Sequence, residues 1–111
     1  MPFNFYSIAL YWFSLLSMAA WFYILRLRSG SLYIGATTNL EERYQAHQDR
    51  LAGRTTSLDP PVSLVYSEEH ESFSVARRRE AQVKRWSRAK KEALVAWDKD
   101  KLRALSKSHK N

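Results

Sequence analysis

Two aromatic, strand-forming segments that flank a Ser-Gly pair constrain the fold of this chain more than any other feature. Residues 21–27 read Trp-Phe-Tyr-Ile-Leu-Arg-Leu, and residues 31–35 read Ser-Leu-Tyr-Ile-Gly. Aromatic and β-branched side chains favour strands, and Ser29-Gly30 between the segments is typical of a tight turn. The sequence therefore predicts a β-hairpin.

A helix and a third strand are predicted after the hairpin. Asn39 is a suitable N-cap and Glu42 stands three residues later, which predicts a capping box and a helix that runs to about Leu51. The polar, proline-containing residues 53–61 predict a loop. The alternation of apolar and polar side chains in residues 62–66 predicts a strand.

Two further helices are predicted in the last third of the chain. One runs from about Ser72 to about Arg85, and the next is capped by Ser87. The residues of this last helix that we expect to face the core are Ala93, Leu94 and Trp97. Beyond about residue 98 the chain is too polar for a secondary structure to be assigned.

Composition bounds the class of protein. A chain of 111 residues has room for one domain, and 45% hydrophobic with 14% aromatic residues is enough to build a modest core. The absence of cysteine excludes disulfides, thiolate zinc sites and a cysteine nucleophile. It suits the reducing cytoplasm but also fits many exported bacterial proteins.

Positive charge is concentrated near the C-terminus. Residues 77–111 hold thirteen of the 18 Lys and Arg residues against four acidic residues. This third therefore carries a charge of +9 and the remainder a charge of −2, which together give the net charge of +7. Such asymmetry favours a polyanionic partner, although a basic helical face that is only solvated is an equally common explanation.

The N-terminus is apolar. No residue before Arg26 is charged, and residues 8–25 are interrupted only by Ser14 and Ser17. Eighteen apolar residues just reach the length of a membrane-spanning helix. Three explanations remain open for residues 1–20: a misassigned start with Met18 as the true first residue, a membrane anchor, or an apolar helix packed on the domain. The corresponding locations are the cytoplasm, or a membrane as the alternative.

Helical geometry directs two polar side chains inward. At 100° per residue from Leu40, the positions within roughly 60° include Arg43 and His47 together with Tyr44 and Leu51. Arg43 and His47 therefore border the stripe that must face the sheet.

Glu80 falls on an apolar helical stripe. Phe73, Ala76 and Val83 define that stripe, and Glu80 lies within it. A carboxylate there is costly to bury unless a cation or hydrogen bonds compensate it. A metal ion and an ordinary salt bridge to Arg77 or Lys84 are both adequate explanations.

The other candidates also have structural alternatives. Tyr23 and Tyr33 are typical packing residues of a hairpin. Gly35 could simply permit close backbone approach at a strand end. His47 could be a core histidine, and the Arg43 guanidinium could pair with Glu42 or Asp49 nearby.

The ordered set of these residues resembles the GIY-YIG endonuclease domains, and in particular their small stand-alone bacterial members. The resemblance covers about residues 21–97. The segments that carry it are Trp21-Phe22-Tyr23, Tyr33-Ile34-Gly35, Thr38 to Arg43 with His47, Pro61 to Tyr66, and Arg79 to Trp86. Residues 1–20 are then an apolar extension, and residues 98–111 a basic polar tail.

The resemblance implies a fold and an activity. The fold is α/β of the α+β kind, a small three-stranded antiparallel sheet flanked by helices. The activity is metal-dependent cleavage of nucleic acid, with DNA the expected form, by one Mg²⁺ or Mn²⁺ ion held by Glu80. No organic cofactor is implied. The catalytic residues carried over are Tyr23, Tyr33, Arg43, His47 and Glu80.

The roles follow the chemistry of these side chains. Mg²⁺ accepts one carboxylate if waters and phosphate complete its shell. A permanently charged Arg43 suits the negative charge that grows on phosphorus oxygens. Tyr23 is the expected base or water positioner, oriented by Tyr33 and His47, although a phenol needs nearby positive charge to ionise.

Two departures from the family pattern stand out. Trp21 and Phe22 replace the glycine and isoleucine of the first motif, and the only asparagine after Glu80 is Asn111. The missing asparagine favours the alternative of a non-catalytic nucleic-acid-binding module. A third possibility, an adaptor anchored in a membrane, depends on residues 1–20 alone.

Basic residues beside Glu80 are expected to bind phosphates without reading sequence. They are Arg77, Arg78, Arg79, Lys84, Arg85, Arg88, Lys90 and Lys91.

Overall fold

The computed structural model describes residues 19–108, which form three strands and five helices. In chain order they are β1 (Ala20–Leu27), β2 (Leu32–Thr37), α1 (Leu40–Gln48), α2 (Arg54–Leu58), β3 (Pro61–His70), α3 (Phe73–Lys84), α4 (Arg88–Val95) and α5 (Lys99–Ser108). The three explanations for the apolar N-terminus concern residues that lie almost wholly outside this range. Within the range, no helix is both long and apolar enough to cross a membrane.

The strands form one antiparallel sheet in the order β2-β1-β3. The expected fold, an α+β domain with a three-stranded antiparallel sheet, is confirmed. The sheet register pairs Tyr23 with Gly35 and Leu25 with Tyr33. Because β1 is central, nearly all of its side chains are buried on one face of the sheet or the other.

The alternation along β1 divides the core between the two faces of the sheet. Tyr23, Leu25 and Leu27 point to one face, where Leu40 and Tyr44 of α1 pack on them. Residues on the opposite face form the main core with the later helices: Phe22, Ile24, Ile34, Tyr66, Val83 and Leu94. The period of two along the strand thus separates the α1 face from the α3 face.

Local signals in the sequence explain the element boundaries. Gly30 closes the hairpin with a φ of 92°, a left-handed conformation that glycine adopts without strain. Asn39, Ser72 and Ser87 cap α1, α3 and α4 through side-chain oxygens that accept from backbone amides. The caps at Asn39 and Ser87 were predicted, whereas Ser72 was predicted only as the start of its helix. The capping box is modified, because Glu42 accepts from the Asn39 side-chain amide at 3.2 Å.

Several expectations from the sequence were wrong about where elements end. Helix α1 stops at Gln48, and Arg50 takes a φ of 62°, so Leu51 is 81% exposed instead of facing the sheet. Residues 54–58, expected in a loop, form the short helix α2. Strand β3 extends four residues past the predicted end at Tyr66.

Two aromatic residues expected in the core are exposed. Trp97 follows the end of α4 with a φ of 58° and stands 65% exposed, with its ring 5.2 Å from that of Tyr66. Phe73, at the first position of α3, is 44% exposed. The polar tail also has structure, because residues 99–108 form α5 and Leu102 packs on the main core.

A charged network joins β3 to α3. The Arg79 guanidinium donates to both oxygens of Glu68 at 3.1 Å, and Tyr66 and His70 also bond this carboxylate. Burial alone would raise the pKa of Glu68, but these hydrogen bonds hold it below its ordinary value. Arg79 also lies over the rings of Phe22 and Trp86, with its guanidinium carbon 5.7 and 5.1 Å from their centroids. Arg79 therefore acts as a packing residue.

We expect Arg79→Ala to destabilise the fold by about 2 kcal/mol, because it leaves the Glu68 carboxylate without its main cation. The melting temperature should fall by roughly 10 °C for a domain of this size. Arg78→Ala is the matched control, since Arg78 is exposed on the same helix, and it should shift the melting temperature little. Equal melting temperatures for the two variants would show that the network contributes nothing.

Candidate active site

A buried hydrogen-bonded chain links β1, α1 and α2. The Tyr23 hydroxyl lies 2.8 Å from His47 Nε2, and His47 Nδ1 lies 2.8 Å from Thr56 Oγ1. All three side chains are essentially inaccessible to water. Two tautomers satisfy the chain: in one, His47 donates to Thr56 and accepts from Tyr23; in the other, both bonds reverse. Sequence reasoning missed Thr56, because the segment around it resembled a loop.

Tyr33 completes an aromatic cluster around the histidine. Its ring centroid is 4.8 Å from that of His47 and 6.4 Å from that of Tyr23. Both tyrosines and His47 therefore come together, from one hairpin and one helix, on the α1 face.

Gly35 makes room for this arrangement. It is the cross-strand partner of Tyr23, and a Cβ atom built on Gly35 would overlap the Cζ and Oη atoms of that phenol. The glycine is required here for close approach of the ring to the backbone. Close backbone approach, which was the structural alternative considered for Gly35, is thus compatible with a role of this glycine in positioning Tyr23.

Burial sets the charge state of the pair. It lowers the pKa of His47 to about 4, with the nearby Arg43 charge acting in the same direction, so the ring is neutral at pH 7. Burial raises the pKa of Tyr23 to about 12, and Arg43 opposes this rise while Tyr33 and Glu80 add to it. Tyr23 is therefore a neutral phenol in the free protein.

Arg43 faces the two tyrosines from α1. Its Nη2 donates to the carbonyl of Ala52 at 3.2 Å, and the two phenols raise the pKa of the guanidinium above its ordinary value. Among the described residues it pairs with neither of the carboxylates considered from the sequence, since Glu42 accepts from Asn39 and Asp49 from Gln45.

Glu80 is the buried carboxylate of the site, on α3. It is 6% exposed, and both candidate salt bridges form: Arg77 Nη1 lies 3.2 Å from one oxygen and Lys84 Nζ 2.8 Å from the other. Both cations are more than half exposed. The Glu80 charge adds to the rise in the pKa of Tyr23, but by less than burial and Tyr33 do.

The donors near Glu80 suit a hard cation with few protein ligands. No group of three or more His, Asp and Glu residues in the described part of the chain could hold a metal ion. Mg²⁺ retains several waters and commonly takes one carboxylate together with substrate phosphate. Glu80 fits that pattern, provided that Arg77 or Lys84 moves away from one of its oxygens.

An open groove passes over Arg43. One depression of about 430 Å³ is lined by Ala36, Thr37, Thr38, Arg43, Phe73 and Arg77. A second, of about 260 Å³, shares Thr37, Thr38 and Arg43 with it and continues past Asn39, Glu42 and Ala46. We call the two together the Arg43 groove; it lies where β2 ends and α1 begins.

Five of the eight basic residues expected to bind phosphate have a partner within the protein. Arg79 and Lys90 are held in the packing, the latter with its ammonium 4.1 Å from the centroid of the Trp86 ring. Arg77 and Lys84 pair with Glu80, and Arg88 bonds the Gly30 carbonyl and Glu92. Within residues 19–108, the basic side chains of this set without a recorded partner are Arg78, Arg85 and Lys91.

We expect Gly35→Ala to displace the Tyr23 phenol and to break its bond to His47. Overpacking of this kind costs about 1–3 kcal/mol. The ¹⁵N chemical shift of His47 Nε2 should change together with the melting temperature. Gly53→Ala is the control, because nothing lies within 4 Å of a Cβ at that position. An unchanged His47 spectrum in Gly35→Ala would contradict the packing argument.

Stability should depend on pH through His47. Its folded pKa of about 4 lies below the ordinary 6.5, so the unfolded chain takes up the proton first as the pH falls. The stabilisation is complete above pH 6.5 and is lost toward pH 4, by up to about 1.4 kcal/mol per pH unit. In urea unfolding between pH 6.5 and 5, His47→Gln should show a shallower pH dependence than the wild type; equal slopes would count against this assignment.

Comparison with known proteins identifies relatives of this chain. The family described as the GIY-YIG catalytic domain matches residues 19–93. A UPF0213 protein of Natronomonas pharaonis is 43% identical over 74 residues, which cover 67% of this chain and 87% of that protein. The UPF0213 protein YhbQ of Escherichia coli is 38% identical over 80 residues, covering 71% and 80% respectively.

A solution NMR structure of a UPF0213 protein from Bacillus halodurans is also similar. It is 36% identical, and the match covers 72% of this chain and 85% of that chain with a TM-score of 0.48. The segment matched by the family runs from the start of β1 through α1 and α3 into α4. It therefore includes the tyrosine pair, Arg43, His47 and Glu80, and this chain belongs to the GIY-YIG catalytic domain family.

Proposed function

We propose that this protein is a metal-dependent endonuclease that hydrolyses phosphodiester bonds in nucleic acid, with DNA as the expected substrate. Membership of the family supports nuclease chemistry. The observation that carries the proposal is geometric: Tyr23, Tyr33 and His47 come together on the α1 face, and a buried carboxylate, Glu80, lies on α3. Clusters in which burial and charges perturb pKa values, as they do for Tyr23 and His47, are typical of catalytic sites.

Glu80 is the proposed ligand of one Mg²⁺ or Mn²⁺ ion. A bound divalent ion would supply Lewis-acid polarisation of the phosphate and a lower pKa for a coordinated water. The two cations that hold Glu80 in the free protein are exposed and attached by flexible side chains, so they can exchange Glu80 for phosphate oxygens of the substrate. Substrate binding would then free carboxylate oxygens for the metal.

Arg43 is the proposed stabiliser of the transition state. Its guanidinium lines the groove where a phosphodiester would lie. Hydrolysis increases the negative charge on the phosphate oxygens, and a permanently charged, preorganised fork stabilises that charge more than the ground state.

Tyr23 is the proposed base or water positioner in the exchange of the water proton. His47, which burial keeps neutral, would orient the phenol through its bond at Nε2. Because Tyr23 is 1% exposed in the free protein, the water must approach along the groove side after a local shift. Tyr33, packed on His47, would hold the ring during this exchange.

A non-catalytic nucleic-acid-binding module is the second candidate. Two observations favour it: both oxygens of Glu80 are engaged by cations, and the Tyr23 pKa of about 12 opposes its use as a base. In that case Arg43, Arg77 and Lys84 would bind phosphate and nothing would be cleaved.

A cleavage assay separates the two. The full chain is incubated with duplex, single-stranded, flapped and branched DNA, with Mg²⁺, with Mn²⁺ and with EDTA. We expect cleavage that requires the metal. Binding without cleavage under every metal condition would favour the binding module.

Glu80→Gln tests the metal ligand. It preserves the shape of the side chain but removes the anion, so cleavage should fall by at least about two orders of magnitude. Thermal stability should change little, because Arg77 and Lys84 are exposed enough to hydrate once unpaired.

Glu71→Gln is the matched control, since Glu71 is exposed just before α3, and it should retain activity. A Glu80→Gln protein that melts several degrees early yet still cuts at the wild-type rate would assign Glu80 a purely structural role.

A further inference from the structure

Phe73 is an exposed aromatic side chain inside a cationic groove. It is the first residue of α3 and remains 44% exposed, whereas Ala76 and Val83 on the same helix are completely buried. It lines the larger depression of the Arg43 groove together with Arg43 and Arg77. An isolated exposed phenylalanine needs no explanation, but one that lines the same depression as two arginines has a specific chemical environment.

The geometry around the ring suits a flat ligand. The guanidinium carbon of Arg77 lies 6.0 Å from the Phe73 ring centroid, at the limit of a cation–π contact, so that contact is weak and can be replaced. Thr37 and Thr38 offer hydroxyl groups in the same depression. Its volume of about 430 Å³ falls in the range of pockets that hold small ligands.

A nucleobase with its attached phosphate matches these features. Every base has a π-face that stacks on an aromatic side chain, and the phosphate beside it would meet the guanidinium groups. The other end of the groove is less suited to phosphate, because Glu42 lines it. The polarity of the groove therefore favours a base at Phe73 and its phosphate between Arg77 and Arg43.

A base within a duplex cannot make this contact, since both of its faces are already stacked on neighbours. Extruding it costs a few kcal/mol, and the cost is least for an unpaired base. We propose that Phe73 is a base-stacking platform that gives the site a preference for nucleic acid with an unpaired nucleotide, as in a single strand, a flap or a junction. This inference rests on the proposed action on nucleic acid and adds the structural class of the substrate.

The test measures binding without metal, so that it is independent of catalysis. The full chain is titrated, in EDTA at fixed salt, against a single-stranded DNA 12-mer carrying 2-aminopurine and against a hairpin duplex carrying the same base. The wild type should quench 2-aminopurine on the single strand and bind it more tightly than the duplex.

Phe73→Ala should weaken single-strand binding by about 5- to 150-fold, the range that corresponds to the stacking of one base. Its affinity for the duplex should change less than about twofold. Phe73→Tyr, which keeps the ring, should behave as the wild type does. Leu51→Ala is the control for loss of exposed apolar surface, since Leu51 is 81% exposed and does not line the groove.

Other outcomes would overturn the inference. Equal affinities for the two DNAs, or equal weakening of both in Phe73→Ala, would mean that Phe73 does not select unpaired bases. Loss of self-association in Phe73→Ala, with unchanged DNA affinity, would identify a second copy as the occupant. A wild type that binds neither DNA in EDTA would overturn the inference but leave the metal-dependent cleavage to its own assay, whereas one that binds the single strand through Phe73 without cutting when metal is added would refute only the cleavage.

Discussion

The close packing of the Tyr23 ring on Gly35 is the contact on which the site depends. Because no Cβ stands between the strands at this point, the phenol lies flat enough against β2 for its hydroxyl to meet His47 on α1. His47 is in turn tied to Thr56, so the short helix α2 takes part in orienting the histidine. The absence of a Cβ atom at Gly35 thus allows the hairpin to be hydrogen-bonded to α1 through His47 and, through Thr56, to α2. Burial of this hydrogen-bonded chain keeps His47 neutral at pH 7.

Helix α3 separates two sets of charges that have different roles. Along one side, Glu80 is buried between exposed cations and affects the titration of Tyr23. Along the other, Arg79 donates to Glu68 and packs on two aromatic rings, and its bonds to Glu68 attach the helix to β3. Adjacent residues on one helix therefore serve the proposed chemistry and the fold respectively, because they contact different partners.

The distribution of positive charge has a consequence for how nucleic acid would bind. Net charge alone suggests a broad basic surface in the last third of the chain, but several of its members are committed to internal partners. The cations that line or border the Arg43 groove are few, and they act beside a carboxylate and an exposed ring. Such a site depends on local shape and stacking as well as on long-range attraction.

Local patterns in the sequence determined much of the fold. Strand-forming aromatic residues, the Ser-Gly turn and the caps at Asn39, Ser72 and Ser87 act over a few residues, so they are readable without the tertiary structure. Helical spacing also predicted that Glu80 and His47 point inward, each on its own helix, and both are buried. The end of α1, the helix at residues 54–58 and the exposure of Phe73 and Trp97 were not readable, because they depend on which neighbours cover each position. Three contacts were decided only by the tertiary structure: Thr56 bonds His47, Arg79 packs against its neighbours, and cations hold both oxygens of Glu80. The reason is the same, because each is a contact between side chains whose directions the sequence leaves open.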